Sequence, residues 1–205
     1  MMRARPLRSR RGQSLVEFTL ILPVILTLVL GMLELGFAIN HSTTIETATR
    51  QGARVGSQLV NGSRTCGGGV TASSNAVDPQ IIGAAEGALV SPGSPVDESR
   101  VTSIKIFLAD PNNPGQMTSS VNTWTYSKGG GPTLAGATAP LNFAKFSGNW
   151  DASTRCGSAP APSIGVQITY TYKFITPLGA FVSMFSSAQI TMTDQTVMAL
   201  EPPSP

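Results

Sequence analysis

Charge is scarce in this sequence. Lysine, arginine, aspartate and glutamate make up 12% of 205 residues, against about 25% in ordinary soluble domains. That excludes a body built of solvent-exposed helices laced with ion pairs, and the 21 glycines and 15 prolines favour strand and loop instead. Histidine occurs once, at His41. The serines therefore have no paired histidine and base, and there is no Walker-type glycine loop and no carboxylate cluster. Nothing reads as an enzyme, and no cofactor or metal is expected. Cysteine occurs at Cys66 and Cys156 alone, a spacing foreign to CxxC metal or redox pairs. If the body lies outside the cytoplasm, one disulfide closing this loop is expected to contribute up to ~4 kcal/mol. Two free structural thiols are the alternative.

What charge there is lies unevenly. Arg3, Arg5, Arg8, Arg10 and Arg11 crowd the first eleven positions, which hold no acid. From residue 13 onward nine basic residues face eleven acidic ones. The pI near 9.1 thus describes a leader, not a nucleic-acid-binding surface, and no nucleic-acid partner is expected.

Residues 18–39, FTLILPVILTLVLGMLELGFAI, contain one charge, Glu34. Twenty-two residues make a helix of about 33 Å, enough to cross a hydrocarbon core of about 30 Å. Arginines precede the run, and the nearly uncharged NHSTT follows it. The positive-inside rule then places the N-terminus in the cytoplasm and the body outside.

Three readings compete for this segment. A cleaved secretory signal has a shorter apolar core, although a cut after Ala38 in GFA could serve. Arg10-Arg11 faintly resembles a twin-arginine signal but lacks the following apolar pair. In a prepilin leader, a short basic stretch ends in glycine and a glutamate stands fifth in the mature helix. Here Gly12 ends the leader, Gln13 becomes the new terminus, and Glu17 is the fifth residue. The spacing has a physical logic. Cleavage strands an ammonium at Gln13, and a lone carboxylate one turn further in is costly within a membrane. Two such helices stacked with an axial offset pair amine with carboxylate, neutralising both and fixing register. The bland reading of Glu17 is a boundary carboxylate solvated among head groups.

The block from Gly12 through Val16-Glu17-Phe18, Pro23 and Glu34 to Gly52-Ala53-Arg54 resembles the TadE-like family, minor pseudopilins of the tight-adherence (Tad/Flp) branch of type IV pili. The segment from Val166 to Pro202 is similar to that family's C-terminal pair of strands. Gln13 is polar where many pilin-type proteins start with an aromatic residue or Met. The related TadG-like proteins carry an Asp-x-Ser-x-Ser metal motif. Asp151-Ala152-Ser153-Thr154-Arg155 departs from it at the last position. The resemblance implies a pilus-assembly protein that is a substrate of prepilin peptidase, not an enzyme. Its implied partners are other pilins or pseudopilins, the assembly platform and membrane lipid.

Past the span, Ile45, Ala48, Val55 and Leu59 keep loosely helical spacing, so the first helix should continue to about Leu59. Pro23 and Gly31 should kink or loosen it. Asp78-Pro79 reads as the N-cap and N1 of a short helix over 79–91. Alternation predicts strands over 100–110, 119–127, 163–175 and 189–200, with 129–162 a long loop crossing the sheet. The apolar 176–185 should pack near the membrane surface or against another subunit. His41 reads as a solvated polar residue past the membrane exit, and Trp124 and Trp150 as core or sheet-face residues. Glu34, near the outer end of the span, either reaches interfacial water or touches a partner helix.

The expected architecture is α+β and pilin-like: a leader over 1–12, a transmembrane helix with its outer extension over 13–60, and an extracytoplasmic domain with a small antiparallel sheet over 61–205. The functional reading is a pseudopilin in tight-adherence pilus assembly. The alternatives are an uncleaved membrane-anchored binding module recognising ligand through 129–162, and a secreted envelope protein.

Overall fold

Helix α1 (Arg11–Gln58) runs for 48 residues through both Pro23 and Gly31, so neither ends it. The computed structural model describes residues 11–59, 74–113, 115–155, 162–184 and 187–200. Its contacts divide the chain into two units, Met1–Ala38 with Lys173–Ala188, and Ile39–Tyr172 with Gln189–Pro205.

In the first unit, residues 12–29 of α1 are exposed throughout, and Leu30, Gly31, Glu34 and Ala38 are the covered or partly covered positions that follow. Thr19 and Thr27 turn their hydroxyls back onto the carbonyls of Leu15 and Pro23, each at 2.8 Å. This silences the two hydroxyl side chains within the apolar run. The rest of the unit is the connection that carries the short helix α3 (Leu178–Val182).

The second unit packs two helical segments on a sheet. The C-terminal end of α1 presents Ile45, Ala48, Gly52, Ala53 and Gly56 on its buried side, a small-residue seam at helical spacing. A Cβ on Gly52 would stand 3.3 Å from Val166, and one on Gly56 would stand 3.0 Å from Ile164 and 3.2 Å from Ile81. The glycine of Gly52-Ala53-Arg54 is thus explained by close packing, while Arg54 itself points to solvent. Helix α2 (Ser74–Leu89) contributes Ile81, Ile82, Ala85 and Leu89, all fully buried.

The sheet runs β3-β2-β1-β4-β5, with β1 (Val101–Ala109), β2 (Met117–Tyr126), β3 (Phe143–Ser147), β4 (Ser163–Lys173) and β5 (Gln189–Ala199). Strand β1 pairs antiparallel with both β2 and β4. Alternation puts Ile164, Val166, Ile168, Tyr170 and Tyr172 of β4 on one buried face, the period a strand requires. On the opposite face Phe107 lies across Gly165, its partner in the register. A Cβ there would meet the ring at 2.2 Å. Gly165→Val is expected to destabilise the unit by about 1–3 kcal/mol through overpacking, read as an earlier denaturant midpoint of the full chain in detergent.

Two expectations change. The stretch 129–162 is not one loop, because it holds β3 and a 3-10 turn at Ala152–Thr154. Asp78 is not an N-cap: α2 begins at Ser74, and Pro79 lies inside it.

Candidate functional site

Gly12 and Gln13 form part of the first turn of α1, and a Cβ at Gly12 would meet nothing within 4 Å. Gln13 donates from Nε2 to Oε1 of Glu17 at 3.1 Å, so residue 13 and the carboxylate share one helix face. Both are exposed. The predicted cut site and the predicted register residue are therefore neighbours on an open surface.

Glu34 departs from both sequence readings. Its side chain is buried, and its two carboxylate oxygens accept the backbone N–H groups of Ile175, at 3.0 Å, and Thr176, at 2.9 Å. The carboxylate thus serves its own chain, 141 residues further on. Sequence spacing carries no signal for such a contact.

In the second unit His41 is buried at 3% exposure, not solvated. It stacks on Tyr170 at 5.6 Å between ring centroids and meets Tyr172 edge-on at 4.9 Å. Its place one turn before Ile45, on the same buried side of α1, was the available clue. Burial, seconded by the Arg100 charge, lowers the His41 pKa from its ordinary 6.5. Burial also raises that of the Tyr170 phenol. A depressed histidine pKa favours the neutral ring in the folded state. That stability is present above the unfolded value and is lost as pH falls through the folded one. Thermal midpoints should therefore drop when pH is lowered from about 6.5, and His41→Phe should remove that part of the slope.

A buried polar network ties α2 to β2 and to the turn that follows β3. Arg155 donates from Nη1 to Asp78 at 2.6 Å, and Asn122 of β2 donates to the other Asp78 oxygen at 2.6 Å. Arg155 also donates to the Trp150 carbonyl at 3.1 Å, and its guanidinium lies 4.0 Å from the Trp150 ring centre. Asn122 closes the circuit by donating to the Trp150 carbonyl and accepting its N–H, both at 2.8 Å. The fifth position of Asp151-Ala152-Ser153-Thr154-Arg155 is thus a buried cation. Among the described residues no group of three histidine, cysteine or acidic side chains is placed to hold a metal ion. Beside the network lies a cleft of about 500 Å³ bordered by Ser119, Ser120, Trp150, Asp151 and Arg155. Trp124 and Trp150 are core residues, as expected.

Glu86 of α2 accepts the Asn142 backbone N–H with both oxygens at 3.1 Å. Burial raises its pKa, opposed by that hydrogen bond and assisted by Glu98. Cys66 and Cys156 lie outside the described residues.

These features define an α+β protein that carries, among the described residues, one N-terminal apolar helix long enough to cross a membrane. The particular kind follows from the helix itself: residues 12–54 match the family model described as TadE-like protein. That is the block carrying Gly12, Glu17, Glu34 and Gly52-Ala53-Arg54, and over it the chain is similar to the TadE-like family. No curated protein and no solved structure matches the chain.

Proposed function

We propose that the protein is a minor pseudopilin in the assembly of a tight-adherence pilus. It is inserted with its N-terminus in the cytoplasm and its sheet-bearing body outside. Prepilin peptidase cuts after Gly12, removing the leader 1–12 and leaving the transmembrane segment with its extension, 13–60, and the body 61–205. The new amine of Gln13 then meets Glu17 of a neighbouring helix, and Glu17 its neighbour's amine. Other pilins, pseudopilins and the assembly platform are its partners, and lipid surrounds 18–39 before incorporation. The chain performs no chemistry of its own.

One observation carries this reading. The TadE-like match begins at Gly12, and the glutamate five positions on lies exposed on the same helix face as residue 13. Peptide mapping of the membrane-extracted protein tests it, with Gln13 as the first residue expected. Met1 on the mature chain would reject the pseudopilin reading, and Ile39 would mark a secreted protein.

A second reading has its own support. An uncleaved, anchored binding module would use the cleft beside Trp150 and Arg155, which lies largely within 129–162. It requires Met1 to persist.

A further inference from the structure

The connection between β4 and β5 runs through FITPLGAFVSMFSSA, fifteen residues without one charged side chain. It belongs to the same unit as the apolar half of α1. Its attachment there is specific, since Ile175 and Thr176 donate their backbone N–H groups to the buried carboxylate of Glu34. Glu34 stands five positions inside the outer end of the apolar window 18–39, so its level is about 7.5 Å below that end. Ile175 and Thr176, hydrogen-bonded to it, share that depth.

We infer that residues 174–184 form a second membrane contact, lying in the head-group and acyl boundary of the leaflet next to the body. The occupant of its apolar surface is lipid. Side chains support this, because Ile175 and Met184 are 57% and 76% exposed. Apolar groups at that depth face acyl chains rather than water.

The backbone supports it equally. Irregular chain is excluded from hydrocarbon unless its polar groups are satisfied. Here Phe174 donates to the Ala188 carbonyl at 3.2 Å, Gly179 to Thr176 at 2.9 Å, Ala180 to Pro177 at 3.1 Å and Ser183 to Gly179 at 2.9 Å. Glu34 takes the N–H groups of 175 and 176, and Pro177 has none to give. The glutamate is therefore a latch that lets a non-helical turn enter the boundary layer. A helix alone leaves rotation about the membrane normal free, whereas a second contact beside it fixes which side of α1 faces a neighbour.

The inference rests on reading 18–39 as a membrane helix, and the test separates the two. The full chain is reconstituted in phosphatidylcholine vesicles with and without lipid brominated on the acyl chains, and single tryptophans are added to the native background. Leu26→Trp reports the helix, Met184→Trp and Ile175→Trp report the connection, and Phe146→Trp on exposed β3 reports the aqueous body. The expected result is loss of the added emission by brominated lipid at 26, 175 and 184 but not at 146, with aqueous iodide giving the reverse. Quenching at 26 without quenching at 175 and 184 overturns the second contact and leaves the helix standing. No quenching at 26 overturns both. Shielding at 184 from lipid and iodide alike means a protein covers it, which also overturns the inference. Glu34→Ala should shift 175 toward iodide, and Glu34→Gln, which retains one acceptor oxygen, should shift it less.

Discussion

Asp78→Ala is expected to destabilise the sheet-bearing unit by about 3–5 kcal/mol, the usual cost of stranding one member of a buried ion pair. Among the described residues, Arg155 would keep its charge at 1% exposure with the Trp150 carbonyl and ring as company. Asn122 would lose one of its acceptors at the same time. Since domains are stable by only about 5–15 kcal/mol, this single change removes a large part of the margin. Arg155→Met should cost a similar amount by leaving Asp78 buried and charged. The double replacement Asp78→Leu with Arg155→Met should be milder than either single change, because no uncompensated charge remains. Denaturant unfolding of the full chain in detergent reads all three. If the double variant lost as much as the two singles added together, the network would be independent contacts rather than a paired unit.

The other large effect concerns assembly rather than stability. If Glu17 takes a neighbour's terminal amine as proposed, Glu17→Ala should abolish surface pili while leaving the protein in the membrane fraction at its normal level. The residue is exposed on α1, and its hydrogen bond to the Gln13 side chain is a surface contact, so folding has little at stake. A stacked neighbour has more, because a terminal amine carried to membrane depth without a partner is costly. Glu17→Gln should fail similarly, since the amide keeps the shape but supplies no charge. Electron microscopy of sheared filaments together with peptide mapping distinguishes failed assembly from failed cleavage. Normal filaments from the alanine variant would remove the register mechanism and leave the processing step untouched.

What could be read ahead of the structure follows the range of the interactions involved. The apolar run and the alternation of β4 are periodic along the chain, so they announce themselves locally. Strand β3 is five residues long with one fully buried side chain, too short to show a period between glycine-rich turns. Asp78-Pro79 carries a genuine helix-start signal, overridden because the carboxylate is claimed by Arg155, 77 positions away. Glu34 likewise finds donors only after 141 residues. His41 was misplaced for a subtler reason. Its neighbours NHSTT look like water-facing chain, yet one helical turn links it to Ile45 and so to the buried side.

The open flank of the sheet has a practical consequence. Strand β5 is a terminal strand of eleven residues, and its one charged side chain, Asp194, is turned in to accept from Thr49. Short length and outward lysines are the usual guards against edge-to-edge pairing. The opposite edge, β3, has both, being five residues long and bearing Lys145, which lies exposed. The chain is thus shielded on one flank and sticky on the other. At high concentration outside its membrane it should associate strand to strand through β5. Dilution, rather than added salt, is the condition that keeps it monomeric.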